Sequence, residues 1–144
     1  MTDTKNVRVT HSFKVPADKV FDAWLNPDQA GKWLFATDKG EMVRVEIDAR
    51  VGGTFRFVDR RNGEDVEHVG EYVTIDRPHR LVFDFAVPQY SPEKTRVAID
   101  IEAQGTGCIL GLTHEGVPPD YVERTHAGWA KILDGLNASL SPLH

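Results

Sequence analysis

The segment Pro118–Leu140, PPDYVERTHAGWAKILDGLNASL, decides how the rest of the chain must fold. At about 100° per residue, Val122, Trp129, Leu133, Leu136 and Leu140 fall on one stripe, with His126 at its edge. Arg124, Lys131 and Asp134 lie on the opposite side. Pro118 and Pro119 mark the start of this amphipathic helix, and Asp120 with Glu123 resembles a capping box. Roughly 20 residues rising 1.5 Å each give a rod of about 30 Å, the width of a small sheet. The helix also carries Gly128 and Gly135 one heptad apart, on a flank of the stripe near Tyr121, Ile132 and Ser139. An interior glycine costs about 1 kcal/mol against alanine, so each needs a reason. Either a neighbouring backbone packs closely where no Cβ stands, or the missing side chains widen the mouth of a cavity. Close packing is the preferred reading.

Everything upstream offers this helix a sheet to cover. NVRVTHSFKV, residues 6–15, places Val7, Val9, His11, Phe13 and Val15 in one phase, the pattern of a half-buried strand. PADKVFDAWL follows, with Val20, Phe21, Trp24 and Leu25 at helical spacing. Asn26 as N-cap and Pro27 at the first position open a second short helix that Trp33 closes. From Glu41 the period changes to two. Val43, Val45 and Ile47 share a face, Gly52-Gly53 makes a turn or bulge, and Phe55 and Phe57 share the next face. Asn62-Gly63 is a hairpin signal, because both residues tolerate positive φ. VEHVGEYVTI, a turn around DRPHR, and a strand with Leu81, Phe83, Phe85 and Val87 in phase come next. Val97, Ile99 and Ile101 alternate, and GTG turns the chain into CILGLTHE. The order is one strand, two short helices, six strands in hairpin succession and a long helix, an α+β arrangement. Short turns imply antiparallel pairing, and one apolar phase per strand implies one buried face.

The totals exclude several classes. A chain of 144 residues is read as a single domain, 1–144. A net charge of −5 disfavours nucleic acid and anionic membrane surfaces as partners. Arg60 and Arg61 beside Asn62-Gly63 read as a solvated turn, and GEDVEHVGE as a solvated strand edge. Cys108 is the only cysteine, which rules out an intrachain disulfide and fits a reducing compartment. MTDTKNVRVTHS has no apolar h-region, and no apolar run approaches the ~18 residues of a membrane span. A cytoplasmic location is therefore expected. A homodimer is left open.

A straight helix cannot follow a twisted, curled sheet along its whole length. Contact at the ends with a gap between is the expected geometry, and such a gap is a ligand cavity. Trp33, Phe55, Phe57, Phe83, Phe85 and Trp129 are the candidate apolar lining, although each is also what a core of this size contains. Polar groups in apolar phases are the other candidates: His11 between Val9 and Phe13, Glu71 in phase with Val69, Val73 and Ile75, His114 after Leu110 and Leu112, and His126 on the helix. Burial would shift each toward its neutral form. No histidine pair has metal-ligand spacing, so neither a metal nor another cofactor is expected. No nucleophile elbow, P-loop or dinucleotide fingerprint occurs, and no catalytic residue is assigned.

VFDAWLNPDQAGKWL, VGGTFRF, GEYVTIDRPHRLVFDF, GTGCILGLTHEG and the Gly-Trp of the last helix, in this order, resemble the helix-grip fold of the START/Bet v 1-like superfamily. Within it they are most similar to the family named after the activator of the Hsp90 ATPase. The resemblance covers roughly Val7 to Leu140. It implies a curved antiparallel sheet of about seven strands around the last helix. Its wider members include lipid carriers and polyketide cyclases. Three functions follow. The preferred one is a binding module that holds a hydrophobic or amphipathic small molecule. The second is a cyclase- or dehydratase-type enzyme using His11, Glu71, His114 or His126 as acid/base groups. The third is a chaperone-associated protein, disfavoured because this sequence has no counterpart of the eukaryotic co-chaperone's separate N-terminal domain.

Overall fold

Alternation of apolar residues, with turns short enough for hairpins, drives the middle of this chain into one sheet. The computed structural model describes residues 5–34, 40–88 and 94–140. Its elements are β1 (Lys5–Phe13), α1 (Ala17–Leu25), α2 (Pro27–Trp33), β2 (Gly40–Ile47), β3 (Thr54–Arg61), β4 (Glu64–Asp76), β5 (Arg80–Ala86), β6 (Thr95–Gln104), β7 (Gly107–Val117), a 3-10 turn (Pro119–Tyr121) and α3 (Val122–Leu140). The seven strands form an antiparallel sheet in the order β1-β7-β6-β5-β4-β3-β2. The strands from β2 to β7 run as a meander, and β1 completes the sheet beside β7. Asn62 at φ 53° and Gly63 at φ 79° close the β3–β4 hairpin with both central residues left-handed, as a two-residue turn of this twist demands. Asn26 caps α2 by accepting the Asp28 N–H at 3.0 Å, with Pro27 at the first helical position. Asp120 falls inside the 3-10 turn, so α3 starts at Val122 and not directly after the prolines. This is a helix-grip fold. No described helix is long and apolar enough to cross a membrane.

The helices cover one face of the sheet. Val20, Phe21 and Trp24 of α1 and Trp129, Leu133 and Leu136 of α3 are all buried, together with Leu81, Phe83, Ile99, Leu110 and Leu112 of the strands. Cys108 is buried in the same phase, and burial pushes its thiol pKa up. The opposite face is tied by cross-strand ion pairs. Arg96 Nε donates to Asp84 Oδ1 at 2.8 Å and Arg60 Nε to Asp65 Oδ1 at 2.8 Å, each between residues directly opposite in register. Such exposed pairs contribute about 0–1 kcal/mol each and mainly keep the face wet. Arg77 grips Asp22 through two hydrogen bonds, at 2.7 and 2.8 Å, which fastens the β4–β5 turn to α1.

Two bulges reset the alternation. In β2 the register shifts between Met42 and Arg44, so Met42, Val45 and Ile47 pack on the core while Val43 is exposed. In β4 it shifts between Tyr72 and Thr74. Tyr72 faces Phe83 and Ile75 faces Leu81, both inward partners, so the inward phase changes from even to odd numbers at the bulge. Before it the inward residues are Val66, His68, Gly70 and Tyr72, and Glu71 is exposed. The expected phase of Val69, Glu71 and Val73 is thus inverted, and the segment read as a solvated edge buries Val66 and His68.

Gly70 is one of the glycines that the sheet cannot lose. A Cβ there would stand 2.2 Å from the Asp84 carbonyl oxygen and 2.3 Å from the Phe55 ring, which lies across it from the opposite register position. Gly70→Ala is expected to lower the unfolding free energy by about 1–3 kcal/mol, read as a lower urea midpoint. An unchanged midpoint would mean that Phe55 is not seated on this backbone.

Candidate functional site

The helix α3 lies along β1 and α2, and the sheet curls away from it toward β3, β4 and β5. A cavity of about 590 Å³ remains between them. Its apolar walls are Trp33 from α2, Phe85 from β5, and Trp129 and Ile132 from α3. His68 from β4 and His114 from β7 reach the same space. The His68 ring stacks on Phe85 at 6.2 Å and 11°, and His114 meets Phe85 at 5.9 Å and 62°. Lys32, Arg61, Arg124 and Lys131 stand at its mouth.

Hydrogen bonds on this wall determine the state of His114. The Trp129 Nε1–H donates to His114 Nδ1 at 3.0 Å, and His114 Nε2 lies 2.7 Å from Thr95 Oγ1. An indole N–H can only donate, so Nδ1 holds a lone pair and the imidazole proton sits on Nε2. Nε2–H then donates to Thr95, whose hydroxyl donates to the Phe85 carbonyl at 3.4 Å. A second proton on Nδ1 would face the indole N–H. Burial holds the His114 pKa down to about 4. The pKa of His68 is also lowered to about 4, by burial first and then by the Arg61 charge. Both rings are neutral near pH 7. The polar atoms of Trp129 and His114 are satisfied by one another, so this wall presents ring faces and edges more than hydrogen-bonding groups.

Of the residues singled out in the sequence, the cavity brings together Trp33, Phe85, His114 and Trp129. Phe55, Phe57 and Phe83 are core residues beneath it, around a void of about 10 Å³ shared with Trp24, Leu34 and Tyr72. His11 keeps the inward phase of β1 but sits at the edge of α3, where its Nε2 meets Asp134 Oδ1 at 3.1 Å and its Nδ1 meets the Ser12 carbonyl at 2.8 Å. Glu71 points away because of the β4 bulge, and His126 is exposed on α3. None of the three lines the cavity. Sequence reasoning missed His68, which a correct β4 phase would have placed inward. It also misread Arg61, which is no solvated turn residue: its Nε donates to Asp59 Oδ2 at 2.6 Å, and Asp59 is fully buried. Among the described residues, no group of three or more His, Cys, Asp or Glu side chains could hold a metal ion.

The glycines of α3 divide. Among the described residues, a Cβ on Gly128 would meet nothing within 4 Å, and Gly128 borders the cavity. A Cβ on Gly135 would stand 3.5 Å from Trp33 Cβ, an ordinary contact. Close packing, the preferred reading, fails for Gly128, where the helix flank is open.

The sequence from residue 14 to residue 141 matches the model of the family described as Activator of Hsp90 ATPase homolog 1-like protein. The chain belongs to that family. Among solved structures, protein CV1439 of Chromobacterium violaceum is 25% identical, with a TM-score of 0.86 over 95% of this chain and 97% of the other. The AHSA1-like protein of Aeromonas hydrophila is 19% identical, with a TM-score of 0.82 over 94% and 92%. CalU16 of Micromonospora echinospora is 20% identical, with a TM-score of 0.70 over 99% and 87%. No protein with a curated description matches the sequence. Family membership and these folds are consistent with a ligand-binding protein.

Two outcomes are expected from this family member's cavity. Gly128→Ala should be tolerated and should raise the unfolding free energy by up to about 1 kcal/mol, since helix propensity improves and nothing is displaced. A thermal melt checks it, and a clear loss of stability would show the flank to be filled. The second concerns acid. His68 and His114 have folded pKa values of about 4, below the 6.5 of the free side chain, so the unfolded chain takes up protons first as pH falls. Their contribution is complete above pH 6.5 and is lost between 6.5 and 4, with a slope of up to about 1.4 kcal/mol per pH unit for each ring. The depressed carboxylates Asp22 and Asp65 act below that window, since their ordinary value is 3.8. Urea unfolding at pH 7 and pH 5 reads the difference, and equal midpoints would place both rings in water.

Proposed function

We propose that this chain holds a small apolar, ring-bearing molecule in the cavity between α3 and the sheet. The observation that carries the proposal is the aromatic lining of a space of about 590 Å³, with Trp33, Phe85 and Trp129 around it. Sites for small molecules are concave, largely apolar and of this size. The open flank at Gly128 gives an entrance without requiring any element to move. Cost and benefit point the same way: a glycine inside the helix is unfavourable for folding, and its one evident effect is space beside the cavity. The single buried Cys108 is compatible with action in a reducing compartment.

An acid/base enzyme is the second reading, and one observation favours it. His68 and His114 approach one space from either side of Phe85. Against it, both ring nitrogens of His114 already have partners in Trp129 and Thr95. A general base must have a lone pair aimed at the substrate, so His114 would have to leave Trp129 to serve. Binding is the reading with fewer demands.

The test is a fluorescence titration with N-phenylnaphthylamine, an uncharged two-ring probe, on the wild type and on Gly128→Trp. Saturable binding to the wild type, and at least tenfold weaker binding to a Gly128→Trp protein that still melts cooperatively, is expected. Equal binding to both proteins would put the probe elsewhere and remove the support for this cavity.

A further inference from the structure

We infer that His114 sets the selectivity of this cavity by accepting the Trp129 indole N–H and so withholding that donor from the guest. The molecule held here then carries no carbonyl, ether or other acceptor on the part that lies against β7 and α3. This rests on the cavity reading above and names the class of guest, one that is pure hydrocarbon along that wall. Both residues line the cavity, His114 from β7 and Trp129 from α3. They are 7% and 4% exposed, and Trp129 Nε1 donates to His114 Nδ1 at 3.0 Å. An indole has one donor and no acceptor, so this bond uses all of its hydrogen-bonding capacity. His114 is equally committed, because its other ring nitrogen lies 2.7 Å from Thr95 Oγ1 on β6. The imidazole cannot turn toward a guest without giving up both bonds.

The position of His114 in its strand shows what the histidine adds. Leu110, Leu112 and His114 share the inward phase of β7, and all three are buried. A third leucine would continue this apolar run and leave the indole N–H unpaired. An unpaired buried donor is costly, and a guest bringing an acceptor would relieve that cost. With histidine at 114 the protein supplies the acceptor itself. A carbonyl on the guest then gives up its water and gains no bond from Trp129. Burial holds the His114 pKa down to about 4, so the acceptor is in place at neutral pH. Thr125, one turn before Trp129, and His68 on β4 also line the cavity. Both are kept in the variants below, so their part cancels from the comparison.

Isopropylnaphthalene and acetylnaphthalene, substituted at the same ring position, differ in a carbonyl oxygen where the first has a methyl group. Each is used to displace N-phenylnaphthylamine from the wild type and from variants that melt cooperatively. The ratio of the two dissociation constants, compared between proteins, removes the hydration of the guests themselves. His114→Ala leaves the indole N–H unpaired with room beside it. It should move the ratio about tenfold toward the acetyl compound, the size of one hydrogen bond to a buried donor. His114→Asn, whose carboxamide oxygen can take the place of Nδ1, should keep the wild-type ratio within about twofold. The double variant His114→Ala, Trp129→Phe has the room and no donor, and should return the wild-type ratio. A ratio unmoved by His114→Ala overturns the inference. An equal shift in His114→Asn or in the double variant also overturns it, since room and not the indole donor would then decide. The wild type gives a second reading that needs no variant. In isotope-labelled protein the nitrogen–nitrogen coupling across the Trp129–His114 hydrogen bond should persist with either guest bound. Its loss with the acetyl compound would show the guest taking the donor, against the inference. Displacement that is absent, or equal in Gly128→Trp, overturns the cavity reading and this inference with it. Gly128-dependent displacement with an unmoved ratio overturns this inference alone.

Discussion

A rod cannot lie flush on a curled surface. The architecture of this chain follows from that mismatch between α3 and its seven-stranded sheet. Trp129, Leu133 and Leu136 bury their side chains, and the helix runs along β1 and α2. By the time the sheet has turned through β5, β4 and β3, it has left the helix behind. Hydrophobic burial therefore fixes the helix on one side only, and the other side is a cavity by geometry. Filling it would require larger side chains along the flank, where the chain has Gly128 and Gly135 instead.

A cavity edged by histidines would ordinarily be wet and reactive. Here the chemistry is muted by local pairing. Trp129 commits His114 to one tautomer, Thr95 accepts the hydrogen bond of the remaining N–H, and burial makes a second proton unfavourable. His68 is held neutral by the same burial, with the Arg61 charge adding to it. The result is a wall that contains imidazoles yet packs like an aromatic one. The charged side chains stand at the mouth, where Lys32, Arg124 and Lys131 are exposed and Arg61 is braced by Asp59.

Local periodicity made most of the fold readable. The α3 stripe, the phases of β5, β6 and β7, the Asn62-Gly63 hairpin and the Asn26-Pro27 helix start all lie where nearest-neighbour patterning puts them. His114 was legible for the same reason: no bulge interrupts the run from Cys108. His68 and Glu71 were not, because the bulge between Tyr72 and Thr74 is a property of the pairing with β5 and not of β4 alone. Extending the Ile75 phase backwards through it exchanged the two faces. His11 shows a different limit. Its phase is right, but phase does not say whether an inward residue meets the middle of a helix or its polar edge, and His11 meets Asp134. Arg61 was discounted because it adjoins a turn, while Asp59, two residues earlier in the inward phase, draws it back toward the protein.

The open position at Gly128 has a consequence for how such a chain can diverge. The residues that hold α3 in place lie on one stripe, and this position lies off it. Stability and the shape of the cavity's edge are thus encoded by different letters of one helix. A substitution at 128 changes the volume and shape of the entrance without touching the contacts that fold the protein. Structures that share only 17–25% of their residues with this chain superimpose on it at TM-scores of 0.70–0.86. A scaffold with separable coding can drift that far while the fold is never interrupted.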